Sequence, residues 1–544
     1  MAQPAPVHAA KKTGPPPAIA FLFPCGGKVG TTFPCTVGGA MVQVQTQVWT
    51  DHPGIVFKPT AKPSVFDVTL APDTPLGPHL VRFYTGQGAA PPHVFMVGAM
   101  NEIEEVEPND DLQHPQKLPA LPLTVNGRLG KPGDVDIFSC RVEAGHWLVL
   151  NLQGYALGTQ MDPAMRLLDA SGTEVLLSHD TYNLDPFIAF EVKKSGVYLI
   201  EVMAFIHPPA ADATFKGGDE MVYRLTVTDQ AYAGAAQPCA LQRGVTGVYH
   251  PLGWNYGPSM MGPEQSLGQT TVIDGEERAH LPSTNGEVVL AAEVTTPVVA
   301  AGAPDDEATH AFRITPPCTV SACLKEPKAE GRFVFHAKRN AGYDFQVHAF
   351  ALHSPIDAVL RIEDSSKKVL QQVDDNGEGI FDPVSSWHAP ADGDYVAIVG
   401  DLYGRGGSLD VYALEMSPPQ FRLRATLDAS SYKIEAGKTT DLKLTLKASG
   451  SAKGKLKVTA SGLPSGITFP ATEIAAKSGD NTLTLTAASD VPLSNQPFEV
   501  TLSTLEPDEP QSWKAYFDLR GVEPRGDRLV NDDSRAWLTV TPKS

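Results

Sequence analysis

Two stretches of the chain are copies of one another, and a chain built from copies folds as repeated units. A constant spacing of 195 residues relates Asp162 to Asp357, Asp169 to Asp364, Asp180 to Asp375 and Phe138 to Phe333. After a slip of two residues, Asp185-Pro186 pairs with Asp382-Pro383, Gly196 with Gly393 and Tyr198 with Tyr395. Upstream, PCGGKVG at 24–30 matches PCALQRG at 238–244. The pattern is a two-domain unit used twice with something else after it, and such repeats constrain architecture before local propensity does.

A chain of 544 residues is too long for one hydrophobic core, so about four or five domains are expected. An apolar fraction of 42% excludes a disordered chain, and the 48 glycines and 47 prolines are spread as many short strands with many turns require. The recurrent pattern is short and alternating, as in WLVLNLQGY, GVYLIEVMAF, YDFQVHAF and TTDLKLTLKA. The expectation is an all-β protein, a tandem array of about five β-sandwich domains, immunoglobulin-like and jelly-roll-like in kind. Its parts are a disordered Pro/Ala-rich tail at 1–17, sandwiches at 18–98, 99–230, 231–300 and 301–416, and a last domain at 417–544.

A formal charge of −19 argues against nucleic acid, whose binding needs a positive surface. The acidity lies in the repeated part; its plain reading is solubility, its sharper one attraction for divalent cations. No segment approaches the roughly 20 apolar residues of a membrane span. The opening MAQPAPVHAAKKTGPPP has no apolar signal core and reads as the start of a mature secreted chain. Among six cysteines, Cys25 and Cys35 flank a Gly-rich turn where a local disulfide is feasible. Cys318 and Cys323 face opposite ways on a regular strand, and Cys140 reads as a small buried apolar group. The lysines at 433, 438, 443, 447, 453, 455 and 457 fall at strand period and read as a solvated face.

One segment carries chemistry. Glu105, Glu107 and Asn109 alternate on an extended stretch and project from one face, with Asp110 at the following bend. Asp134 and Asp136 repeat the alternation before the strand bearing Phe138. Such a set suits a hard cation such as Ca2+, which takes six to eight oxygens. The plain alternative is two solvated turns, since Pro, Asn, Asp and Gly are what turns need. At the spacing of 195 the second copy places Ala300, Gly302, Pro304, Ala329 and Gly331 at these positions and keeps only Asp305 and Asp306 opposite Asp110 and Asp111. It is expected to fold without metal. Aspartates shared by both copies, such as Asp169 and Asp364, read as turn or cap residues.

EVEPNDD (105–111), GDVDIF (133–138), MDPAMRLLDASG (161–172), SGVYLIEV and YRLTV together resemble the bacterial pre-peptidase C-terminal domain, a fold relative of the collagen-binding domains of clostridial collagenases. The region 301–416 resembles it again. FLFPCGGKVGTTFPCTVGG with TPLGPHLVRFYTGQG resembles TIG-type immunoglobulin-like domains, and the last domain resembles the bacterial immunoglobulin-like domains that follow enzyme or adhesion modules. The resemblance implies a calcium site on Glu105, Glu107, Asn109, Asp110 and Asp136, with Asp134 beside them, and a secreted, periplasmic or cell-surface location.

Motifs H-E-x-x-H, G-x-S-x-G and G-x-x-x-x-G-K-[ST] are missing from the sequence. The expectation is a non-catalytic binding or scaffold protein whose partner is a protein or polysaccharide of the extracellular or envelope space. A collagen- or polysaccharide-binding module is one alternative, with Tyr182, Trp254 and Trp387 as exposed aromatics. An accessory domain array partnering a secreted hydrolase is another.

Overall fold

The computed structural model describes residues 15–40, 42, 46–206, 214–245, 247–266, 271–272, 278–282, 288–306, 309–375, 381–450, 454–505, 511–520 and 528–543. Most of the expected 1–17 tail, and Lys453, lie outside the described residues. Among the described residues there is no α-helix, so no helix is long and apolar enough to cross a membrane. The array of β-sandwiches expected from alternation is what forms, because period-2 apolar placement gives each strand one face to bury.

The first unit packs a four-stranded sheet, including Ala18–Phe23 and Thr32–Ala40, on a second sheet that includes Gly77–Thr85 and His93–Gly98. Its core centres on Phe57, whose ring meets Phe66, Phe83 and Phe95 edge-on at 6.2, 5.9 and 5.3 Å. Cys25 and Cys35 are buried there as free thiols rather than a disulfide. The third unit repeats the device more sparely. Met96 N donates to Cys25 O at 3.0 Å in the first unit, and Ala292 N donates to Cys239 O at 2.9 Å in the third.

The second and fourth units have identical topology, each two five-stranded sheets joined in the same strand order. Phe138 pairs with Ile200 in one and Phe333 with Ala397 in the other, so the duplication read from sequence is a duplication of fold. The strand Val298–Ala300 already belongs to the fourth unit, since it pairs with Cys318–Cys323; that boundary falls a few residues earlier than 301. The shared aspartates shape loops. Asp169 accepts from Ser171 N and Thr173 N, and Asp364 from Ser366 N and Lys368 N, as Asx turns do. Buried Asp185 accepts from Gly154, Tyr155 and Ala156 N at 2.8–3.0 Å, and Asp382 does the same for Ala349, Phe350 and Ala351. Asp185→Ala strands three amides, and leaving even one buried donor unmet costs about 1–3 kcal/mol. A lowered melting transition of the second unit, with calcium response retained, is the expected result; an unchanged melt contradicts this role.

The last unit is a sandwich whose core holds Leu444, Leu485, Val500 and Leu538, with Lys433, Lys438, Lys443, Lys447, Lys455 and Lys457 exposed. The units are consecutive in sequence but not strung out in space. Leu529 and Val530 join the first unit's core cluster, and Leu529 N donates to Ala156 O of the second unit. Arg82, fully buried, donates from Nη1 to Ser430 O at 2.7 Å and lies over the rings of Trp537 and Phe517. Of the aromatics expected to be exposed, Tyr182 and Trp254 meet neighbouring units and Trp387 lies in the fourth unit's own core. Tyr182 stacks on His353 at 4.7 Å, Trp254 packs on Phe187 at 5.0 Å, and Trp387 is buried against Tyr395 at 4.8 Å. Each is spent on packing, which corrects that expectation.

Candidate metal centre

The acidic segment is the crossover between the two sheets of the second unit. Upstream, Asn101–Glu104 pairs in parallel with Leu123–Arg128; downstream, Gln116–Lys117 pairs with Asp136–Val142 on the other sheet. The chain must therefore pass from one sheet edge to the other between residues 105 and 115. Backbone bonds pin both sides: Glu105 N donates to Asn126 O and Ile137 N donates to Asn109 O, each at 3.0 Å. Asp134 closes a turn, accepting at Oδ2 from Gly130 N at 2.6 Å and Lys131 N at 3.3 Å, and Asp136 opens the next strand.

Of the six residues singled out from sequence, Glu107, Asp110 and Asp134 come together, Glu105 and Asp136 meet beside them, and Asn109 lies between Glu107 and Asp136. Oxygens of Glu107, Asp110 and Asp134 lie within 4.8 Å of one another. The Asn109 NH2 group donates to Glu107 Oε2 at 3.1 Å and to Asp136 Oδ1 at 3.2 Å. The Glu105 and Asp136 carboxyl groups interact directly, which raises Glu105 and, against the effect of burial, lowers Asp136. Asn109, Asp134 and Asp136 are buried, Glu105 is half-buried, and Glu107 and Asp110 reach solvent.

The electrostatics are those of acids held together at a cost. Burial first, then the charge of Asp136, pushes the Glu105 carboxyl well above the usual range, against a bond from Arg128 N at 2.8 Å. Burial likewise raises Asp136, although Tyr223 Oη donates to its Oδ2 at 2.6 Å. Asp134 Oδ1 is buried and accepts no hydrogen bond. Lys131 Nζ stands 3.4 Å from it and 2.8 Å from Asp110 Oδ2, a cation at the mouth of the cluster. Carboxylates crowded together and partly buried repel one another, a cost that a bound cation would remove. Glu107, Asp110 and Asp134 could share one ion, and calcium takes six to eight oxygens, more than these three residues supply through one oxygen each.

Tyr223 and Lys131 belong to this site and sequence reading did not single them out. Tyr223 lies across Gly127, where a Cβ would fall 2.3 Å from its hydroxyl, so only glycine admits the ring. The equivalent of Tyr223 is Tyr412, a correspondence visible only through strand pairing, Gly127 with Tyr223 and Ala322 with Tyr412.

The second copy provides a built-in comparison, with one correction. Glu105 N bonds Asn126 O as Ala301 N bonds Ser321 O, so the upstream segment is spaced by 196 rather than 195. Glu105, Glu107, Asn109 and Asp110 thus correspond to Ala301, Ala303, Asp305 and Asp306, while Asp134 and Asp136 still meet Ala329 and Gly331. Asp305 and Asp306 are taken up by Arg313, through its N at 2.7 Å and Nη2 at 2.6 Å. A Cβ on Gly331 would fall 1.6 Å from Tyr412 Oη, so the tyrosine hydroxyl occupies the space that Asp136 uses in the first copy.

The centre adjoins the contact between the first two units. Arg224 and Glu102 form a buried two-bond ion pair at 2.8 and 2.7 Å, and Lys28 Nζ donates to Asn101 Oδ1 at 2.7 Å. Arg128 lies over the Phe23 ring at 5.2 Å.

No family model matches the chain. A probable subtilase-type serine protease of Deinococcus radiodurans is 30% identical over 138 residues, which is 24% of this chain and 19% of that protein. The chain thus spans about a fifth of that relative. Solved structures that align include the M60 catalytic domain with its CBM51-1 and CBM51-2 domains from Clostridium perfringens (TM-score 0.14, 9% identity, 76% of this chain and 56% of that one). Another is the eight N-terminal immunoglobulin domains of Down syndrome cell adhesion molecule (0.15, 11%, 90% and 59%). A third is surface layer protein SbsC, domains 1–6 (0.14, 10%, 97% and 54%). Overlaps this loose carry no argument, and the β-sandwich assignment rests on the chain's own sheets.

Proposed function

We propose that the chain is a non-catalytic binding or scaffold array of the cell surface or extracellular space, with second and fourth units of the pre-peptidase C-terminal type. In this reading Ca2+ fixes the second unit through Glu105, Glu107, Asn109, Asp110, Asp134 and Asp136. The carrying observation is the approach of Glu107, Asp110 and Asp134 oxygens to within 4.8 Å of one another, beside the raised Glu105 and Asp136 carboxyls. The ion would tie the crossover to both sheets and stiffen the neighbouring contact with the first unit. The segment shared with a subtilase-type protease, a small part of that protein, also suits an appended module without catalytic residues.

Calcium titration followed by thermal melting tests the metal reading. A ligand at 100 times its Kd adds about 2.7 kcal/mol to the state that binds it, so the second unit's transition is expected to rise and EDTA to reverse it. The pH dependence has a definite sign. Carboxyls raised in the fold keep a proton that the unfolded chain has released, so metal-free stability declines as pH climbs above the ordinary carboxylate range. Calcium displaces that proton, and its stabilisation grows over the same window. A calcium response that is flat or falls with pH contradicts the assignment.

A further inference from the structure

An open groove of about 920 Å3 runs between the last unit and the third and fourth. The last unit's wall is the outer face of its sheet, where register sets cations side by side. Arg424 pairs directly with Lys447, and the parallel pairing of Ala425 with Ala515 places Lys514 beside Arg424 on the other flank. Like charges opposite one another on a sheet are destabilising. Two of the three are answered by acids and one, among the described residues, is not. Asp532 offsets Arg424 at 2.6 Å and Glu499 offsets Lys514 at 3.0 Å, whereas Lys447 is exposed with no ion pair among the described residues. One turn of the pleat away, Arg422 reaches across the groove and donates to Gln346 Oε1 at 2.7 Å.

Aromatic groups border the same row. Tyr516 lines the groove on the same strand face as Lys514 and keeps part of its surface open, while Trp513 and Phe421, edge-on at 5.5 Å, border it from the core side of the sheet. Glu293 and Glu415 are the acids on the lining, and Arg243 answers Glu293 at 3.0 Å. We propose that this groove binds an anionic polysaccharide, with carboxylate or sulfate groups set on the row of Lys514, Arg424 and Lys447 and a sugar face against Tyr516. The charges select a polyanion. The open length and flat ring favour a glycan chain over a peptide, because a ring offers stacking without demanding side-chain pockets. The site goes beyond the calcium reading and does not depend on it.

The test uses the full chain on immobilised polygalacturonate and dextran sulfate, with neutral dextran and poly-glutamate as comparisons. Retention on at least one acidic glycan and none on neutral dextran is expected, weakening as salt screens the charges. Arg424→Gln with Lys447→Glu is expected to weaken binding at least tenfold, with the calcium-dependent melt unchanged. That melt separates failure here from failure of the metal reading. Tyr516→Ala is expected to weaken glycan binding and spare any residual poly-glutamate binding. Absence of glycan retention, retention unaffected by the double variant, or poly-glutamate bound as tightly as glycan would overturn the proposal.

Discussion

Trp537→Ala is expected to separate the first unit from the last. Trp537 sits on the strand Ala536–Thr541, whose alternate residues Ala536, Leu538 and Val540 fill the last unit's own core. Its indole points the other way, edge-on to Trp49 at 6.2 Å, 4.8 Å from Tyr84, and under the guanidinium of Arg82. Truncating a buried aromatic costs about 3–5 kcal/mol, and here the loss falls on the contact between units rather than on either core. Arg82 then loses a ring partner while still buried against Ser430 O and Arg535 O, which adds to the cost. Limited proteolysis is expected to open the segment around Leu529, and the radius of gyration to increase, with each unit's sheet content intact. An unchanged scattering profile would show that the contact does not hold the units together.

Asp136→Asn is expected to abolish the calcium response without unfolding the protein. In the metal-free state the substitution removes one of two adjoining carboxyls, and an amide can still accept from Tyr223 Oη. Metal-free stability at neutral pH should therefore be equal or higher, because the repulsion that raises Glu105 is gone. At saturating calcium the order reverses, since the wild type alone gains about 2.7 kcal/mol at 100 times its Kd. A residue serving only a turn behaves differently, lowering stability alike with and without calcium. The crossing of the two stability orders, read by melting with calcium and with EDTA, is the diagnostic result.

Much of this was legible in sequence, and the reason is periodicity. Alternation fixed which residues of TTDLKLTLKA face inward, and the repeat made the second and fourth units one fold. The candidate set was legible from its acidic composition and spacing, although residues 105–110 lie beyond the strand Asn101–Glu104, so strand period is not what brings them together. What sequence did not carry was pairing between distant strands. The position of Tyr223 over Gly127, and the 196-residue spacing of the upstream segment, follow from strand register. Lys131 was passed over because a lysine in a turn normally faces water, yet here it fronts Asp110 and Asp134. The aromatics expected at the surface failed for a related reason: Tyr182 and Trp254 are covered by neighbouring units, which alternation within one strand does not report. Of the groove cations, Lys447 was read as part of a solvated face and Arg424 and Lys514 were not singled out; strand pairing is what sets the three in a row.

The most direct test of the central claim is the number of calcium ions bound per chain, measured by equilibrium dialysis with elemental analysis on the wild type and Asp136→Asn. One ion on the wild type and none on the variant is the predicted outcome, because Ala329 and Gly331 deprive the fourth unit of the matching carboxylates. No bound calcium on the wild type, or the same amount on both proteins, would contradict it.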